Sequence, residues 1–187
     1  MKKGTIALIV IGVIVLIMVL SVIGSYNSLV GKQEIVQNAL SEIDNNLQRR
    51  NDLIPNLVAT VKGYAAHESE ILTAIADARS KLIGAGSIGE KAEASSELSN
   101  ALSRLLVVVE NYPQLKADAV FIDLSDNLAG TENRLANARR DYNNVARDYN
   151  TSIRRFPTVI FARLMGFEPV EYFEADEGAK EAPKVEF

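Results

Sequence analysis

Two hydrophobic patterns divide the chain. From Ile6 to Ile23 the residues carry no charge and are almost all apolar, broken only by Gly12 and Ser21, and Gly4, Thr5, Gly24 and Ser25 extend the uncharged stretch. At about 1.5 Å per residue, a segment of about 20 residues matches a hydrocarbon core of roughly 30 Å. Residues 6–25 are therefore predicted to form a transmembrane helix. A cleaved signal peptide would have a shorter apolar region, about 7–15 residues, ending in small residues. Val22-Ile23-Gly24-Ser25-Tyr26 offers little of that kind, so an uncleaved anchor is expected. Lys2 and Lys3 precede the span and only Lys32 follows it closely. Basic residues stay on the cytoplasmic side, which puts residues 1–5 in the cytoplasm and the body of the chain outside it.

The second pattern is a heptad. Val36, Ile43, Arg50, Leu57, Tyr64, Ile71 and Ala78 form one series, and Leu40, Leu47, Ile54, Val61, Glu68, Ile75 and Leu82 form the other. Only Arg50 and Glu68 interrupt an otherwise apolar or aromatic stripe, so the spacing predicts one long helix from about Ser28 to Lys81 with coiled-coil character. Pro55 lies inside it and is expected to kink rather than reverse it, since the register continues across the proline.

Gly84, Gly86 and Gly89 end that helix. Their spacing matches a dinucleotide-binding loop, G-x-G-x-x-G, but such a loop follows a strand, and here a helix precedes it. A second helix is predicted over Glu90 to Asn111, burying Leu98, Leu102, Leu105 and Val109, and Pro113 ends it. In a third, Phe121, Leu128, Leu135, Tyr142 and Tyr149 alternate with Leu124, Thr131, Ala138, Val145 and Ser152. A break at Gly130 would make four body helices of three. Arg140-Asp141-Tyr142-Asn143 recurs seven residues on as Arg147-Asp148-Tyr149-Asn150, which places both tyrosines on one face. After Pro157 comes a short apolar piece, Thr158 to Phe167. Residues 168–187 read as an acidic, solvated tail whose start docks through Tyr172 and Phe173. The predicted fold is all-α: a transmembrane helix continuing into an antiparallel bundle of three to four long helices over residues 28–167.

Charge and composition remove several function classes. Lys and Arg number 20 against 24 Asp and Glu, a net charge of −4 that offers no field to nucleic acid. With no cysteine, disulfides, thiolate metal sites and a cysteine nucleophile are excluded. His67-Glu68 begins like H-E-x-x-H, yet the position one turn on is Ile71 and no second histidine exists, so one subunit cannot build a histidine zinc site. No catalytic or cofactor residues are predicted. The stronger signals are Arg50 and Glu68, charges within an apolar stripe, each of which must meet an opposite charge or a backbone group on another helix.

Several motifs in matching order resemble the LemA family of bacterial membrane proteins. They are Gln48-Arg49-Arg50-Asn51-Asp52-Leu53-Ile54-Pro55-Asn56-Leu57, Gly63-Tyr64-Ala65-Ala66-His67-Glu68 and Glu110-Asn111-Tyr112-Pro113-Gln114-Leu115-Lys116-Ala117. Thr131-Glu132-Asn133-Arg134, the two Tyr-Asn heptads, Gly166-Phe167 and Tyr172-Phe173 extend the match to about Phe173. The resemblance implies a single-pass helical bundle of the bacterial inner membrane with no established enzymatic activity and no cofactor. It also suggests an envelope setting alongside TPM-domain membrane proteins or a membrane metalloprotease. It supplies no catalytic residues, so Arg49, Arg50, Asp52, Asn56, His67, Glu68 and Glu132 carry over as motif positions only.

Two functional readings follow. One is a non-enzymatic scaffold or adaptor that binds membrane proteins or its own copies. The other is a ligand sensor or hydrolase with an interhelical pocket around Arg50, Asp52, His67 and Glu68. A helix reaching Lys81 would outrun its neighbours and leave Val36, Leu40, Ile43 and Leu47 uncovered, which predicts a homo-oligomer.

Overall fold

The computed structural model describes residues 3–65 and 67–174, and every regular element among them is helical. The first residues of the expected cytoplasmic segment, 1–2, and the acidic tail from 175 onward lie outside the described residues. Helix α1 runs Lys3–Tyr64, α2 Ser69–Gly84, α3 Ile88–Val109, α4 Pro113–Lys116, α5 Ala119–Arg154 and α6 Thr158–Leu164.

The chain divides into two compact units. One comprises Met1–Ala39 with Asn144–Val170, the other Leu40–Asn143 with Glu171–Phe187. In the first, the N-terminal part of α1 is long and apolar enough to cross a membrane, and none of its most apolar window is buried within the protein. Leu8, Ile11, Leu16 and Leu20 are all more than half exposed, so this helix is not a core element and its side chains need an apolar solvent from outside the chain. Beyond the span, Lys32 Nζ donates to Ser152 Oγ of α5 at 2.5 Å, and the Tyr26 and Phe167 rings meet edge to face at 5.9 Å.

The second unit is an antiparallel bundle of four helices. α1 does not continue to Lys81: it stops at Tyr64, the Glu68 N–H donates to Ala65 O, and α2 runs back from Ser69. Ion pairs at the two ends of the next hairpin, Lys81–Glu97 and Arg104–Glu70, set α3 antiparallel to α2. Tyr64 to Asp118 and Arg50 to Glu132 set α5 antiparallel to α1. The heptad stripe is real, since Ile43, Leu47, Ile54, Leu57, Val61, Ile75, Ala78 and Leu82 are all buried, but two helices share it. Both helices turn their apolar faces inward, so the register survives the reversal. Four body helices arise from this reversal and not from Gly130, which lies inside an unbroken α5.

The reversal also removes the reason for expecting an uncovered stripe. Val36, Ile43 and Leu47 are each no more than 5% exposed within the single chain, and Leu40 is half-buried. Hence no open heptad face demands a second copy.

Pro55 remains inside α1. Proline has no N–H, so the carbonyl four residues earlier, that of Asn51, loses its helical donor. Arg79 of α2 supplies a replacement, donating from Nε to Asn51 O at 3.1 Å. A charge-assisted hydrogen bond to an otherwise unpaired carbonyl stabilises by about 1.5–3 kcal/mol. Arg79→Ala is therefore expected to destabilise the protein by about that amount. In a Pro55→Ala background, where the ladder can close without Arg79, the loss should shrink by more than half. Equal losses in a double-mutant cycle of thermal melts would show that the two residues are not coupled.

The remaining joints follow local rules. Ser87 caps α3 through a capping box: its Oγ accepts from the Glu90 N–H at 3.1 Å while Glu90 Oε2 accepts from the Ser87 N–H at 3.0 Å. The G-x-G-x-x-G match is thus a helix-to-helix turn. Asp118 Oδ1 accepts from the N–H groups of Val120 and Phe121 and so caps α5, with Tyr64 Oη donating to its other oxygen at 2.8 Å. These hydrogen bonds hold the Asp118 carboxyl below its ordinary range, the Phe121 N–H contributing most.

Candidate functional site

The polar centre of the four-helix unit is built around Arg50. Its heptad position points it inward from α1, where it is 3% exposed. Nη1 donates to Ser95 Oγ at 3.2 Å and Ser95 O at 3.4 Å, and Nη2 donates to Ser99 Oγ at 2.9 Å, both serines on α3. Glu132 Oε2 of α5 lies 3.1 Å from Nη1, an ion pair held by charge rather than by an aligned hydrogen bond. Arg139, two turns further along α5, donates from Nη2 to the same Ser95 Oγ at 2.6 Å, and its guanidinium sits 4.7 Å from the Phe173 ring centroid.

Two guanidinium groups thus converge on Ser95 Oγ, and Glu132 makes its ion pair with Arg50. Burial pulls Arg50 below its ordinary value, opposed by the charge of Glu132. Burial lowers Arg139 as well, with Glu132 raising it and Arg50 lowering it further. Both stay cationic, because arginine does not deprotonate in proteins, so the cluster carries one excess positive charge.

Beside this cluster lies an open, mostly apolar groove of about 250 Å³ between α1, α3 and α5. Leu57, Leu102, Leu105, Leu106, Leu128 and Ala129 form its walls, and Arg50, Glu132 and Ser99 close one end. Ser125, also on the wall, holds a buried hydroxyl with no partner among the described residues. Apolar walls with a few fixed polar groups at one end suit a side chain or small amphipathic group rather than a reacting water.

The other motif residues do not join Arg50. Arg49, Asp52, Asn56 and His67 are exposed, with Asp52 accepting from Gln48 at 2.9 Å and the Asn56 carbonyl accepting from Thr60. Glu68 sits in the turn and accepts from Tyr112 Oη at 2.9 Å, a bond that raises the tyrosine pKa. Fourteen helical residues separate Arg50 from the end of α1, about 21 Å, so Arg50, Asp52, His67 and Glu68 form no common pocket. Among the described residues no cluster of His, Asp and Glu could hold a metal ion. Of the sequence candidates only Arg50 and Glu132 meet. Ser95, Ser99 and Arg139 were not foreseen, yet Arg139 follows Leu135 by four and precedes Tyr142 by three, which is buried-face spacing.

The repeated Tyr-Asn heptad has a distinct task, the same in both units. In the four-helix unit, Tyr142 Oη donates to Glu171 O at 2.7 Å, Asn143 Nδ2 donates to Phe173 O at 2.9 Å, and the Phe173 N–H donates back to Asn143 Oδ1 at 2.8 Å. In the membrane-proximal unit, Tyr149 Oη donates to Glu168 O at 3.0 Å, and Asn150 exchanges the same pair of bonds with Val170 at 2.8 and 2.9 Å. Each asparagine treats one residue of extended chain as a strand neighbour would. Phe173 docks as expected, 3% exposed, whereas Tyr172 remains on the surface.

Comparison with known proteins bears on the whole arrangement. The family model described as LemA family matches residues 39–187. Magnetosome protein MamQ 1 of Paramagnetospirillum magneticum is 30% identical over 195 residues, covering 90% of this chain and 72% of that protein. Protein LemA of Metamycoplasma hominis is 28% identical over 156 residues, covering 83% of this chain and 71% of the relative.

Proposed function

Since the chain belongs to the LemA family, and one of its helices suits a membrane span, we propose that it is a non-enzymatic adaptor that presents a helical bundle at a bacterial membrane. The observation that carries this reading is the apolar groove closed by Arg50 and Glu132. Arg50, Ser99 and Glu132 at its end are engaged in joining helices, and its walls are mostly leucines suited to receive an apolar anchor from another protein. The occupant is a membrane protein of the same envelope or a second copy of this chain; TPM-domain proteins and a membrane metalloprotease are the partners that family resemblance suggests. Copies confined to one bilayer meet at raised effective concentration, which supports self-association without an open heptad stripe.

The test is chemical crosslinking in intact membranes, with two differently tagged copies expressed together and products read by mass spectrometry. Discrete adducts involving groove-lining helices α3 and α5, to the other copy or to one membrane protein, are expected. A body that yields only intramolecular crosslinks would defeat the reading.

The proposed orientation keeps the N-terminus in the cytoplasm of an inner-membrane protein with the bundle outside, after Lys2 and Lys3. Protease added to spheroplasts should then digest the bundle while a cytoplasmic marker survives. Full protection of the bundle would reverse the topology.

A further inference from the structure

Helix α6 leaves its largest apolar side chains uncovered. Ile160 is 55% and Leu164 81% exposed, four residues apart and so on one helical face, and Phe156 just before the helix is 82% exposed. Isolated exposed apolar residues are ordinary, but Ile160 and Leu164 share one face of α6 and Phe156 stands exposed just before it, three large apolar side chains within nine residues. The chemistry around them is one-sided. From Thr151 to Phe167 the chain carries Arg154, Arg155 and Arg163 and no acidic residue. All three arginines are exposed, and none forms an ion pair with a described residue.

Position decides what this patch meets. The apolar span ends near Ser25, and Tyr26, the next residue, packs its ring against Phe167 just beyond α6. At the other side of α6, Ser152 is tied to Lys32, which is six residues above Tyr26, or about 9 Å. The residues that flank α6 in the chain are thus tied to α1 at the end of the span and about 9 Å above it. The headgroup layer occupies roughly 5–7 Å on each side of the hydrocarbon core. A tyrosine at the end of a span also marks that layer.

We propose that α6 with Phe156 rests on the bilayer surface from which the span emerges. Phe156, Ile160 and Leu164 enter the boundary between headgroups and acyl chains, and Arg154, Arg155 and Arg163 meet lipid phosphates. The partner is the lipid surface itself, preferably anionic, since basic residues at a membrane surface gain from negative headgroups. The protein therefore has a second membrane contact that fixes the tilt and rotation of its membrane-proximal unit on the span.

Because the chain contains no cysteine, single spin labels report cleanly. Labels go at Ile160→Cys and Leu164→Cys, with Leu16→Cys in the span and Asn38→Cys, exposed and about 18 Å along α1 from Tyr26, as references. The full chain is placed in nanodiscs of phosphatidylcholine and phosphatidylglycerol. Collision with oxygen relative to a water-soluble nickel chelate is then measured by power-saturation EPR. The expected ratio at positions 160 and 164 is several-fold above that at 38 and below that at 16, as a boundary depth requires. Ratios at 160 and 164 equal to that at 38, with 16 still lipid-embedded, would overturn the proposal while leaving the span intact, and would point to a protein as the cover for this patch. Retention of the full ratio when Arg154, Arg155 and Arg163 are replaced together by Gln would overturn the role given to the arginines.

Discussion

Glu132→Gln is expected to lower the stability of the four-helix unit by about 2–4 kcal/mol, more than the loss of either arginine that faces it. The reason is charge balance. Arg50 and Arg139 are both buried enough for desolvation to lower their pKa, and Glu132 is the opposing charge for both. Removing the carboxylate leaves two cations facing one another in a poorly solvated seam, with no anion to offset the repulsion. Replacing Arg50 by Leu leaves one cation for Glu132 to oppose and fills the site with apolar volume, so its cost should be lower, about 1–2 kcal/mol. The figure for Glu132 sits below the range of a fully buried pair because its side chain is 41% exposed and solvent screens part of the charge. Guanidinium unfolding of the full-length protein in detergent provides the comparison. The double variant Glu132→Gln with Arg139→Gln should recover part of the loss. If Glu132→Gln is neutral, the cluster is not a charge-balanced seam.

Asn143→Ala and Asn150→Ala are each expected to release a length of the chain after α6. Each asparagine exchanges two hydrogen bonds with the backbone of one residue, Phe173 or Val170, and alanine leaves that N–H and C=O without partners. An unpaired buried donor or acceptor costs about 1–3 kcal/mol, so a local loss of about 2–3 kcal/mol per asparagine is expected. In exchange rates this is roughly a 30- to 150-fold loss of protection at the tethered amide, one factor of ten for each 1.4 kcal/mol. Native-state hydrogen exchange should show it at Phe173 in Asn143→Ala and at Val170 in Asn150→Ala, with the helices unaffected. Asn→Asp keeps the acceptor and should preserve more of the amide protection. Unchanged exchange in both alanine variants would mean the segment is held by Phe173 packing alone.

Much of this fold is written in the spacing of apolar residues. The heptads fixed which residues face inward, and the burial of Arg50 against an opposite charge follows from its place in that stripe. What periodicity could not reveal was the reversal between Tyr64 and Ser69. A heptad read across a short turn looks the same as one read along a single helix, because both arms bury the same positions. Local signs were present, with Gly63 before the turn and Ser69-Glu70 after it, but none is strong: α2 begins without a side-chain cap. Pro55, the conspicuous breaker, is accommodated by Arg79, a partner 24 residues away that no local rule predicts. The Tyr-Asn repeat showed its shared face in the sequence, whereas its role depends on extended backbone that has no periodic signature. The groove likewise depends on how three helices pack, and the tertiary neighbours of Leu102 and Leu128 are invisible to spacing.

In the proposed function, the groove beside Arg50 and Glu132 receives an apolar anchor from another polypeptide. Its most direct test is photo-crosslinking in native membranes from a benzoylphenylalanine placed at Leu106, a half-exposed residue on the groove wall. Yields are compared with and without Ala129→Leu, which fills the groove from the opposite wall. A discrete adduct from position 106 is expected, which the filled groove reduces at least several-fold while the melting curve stays the same. An adduct of equal yield in both proteins, or none in either, would contradict that function.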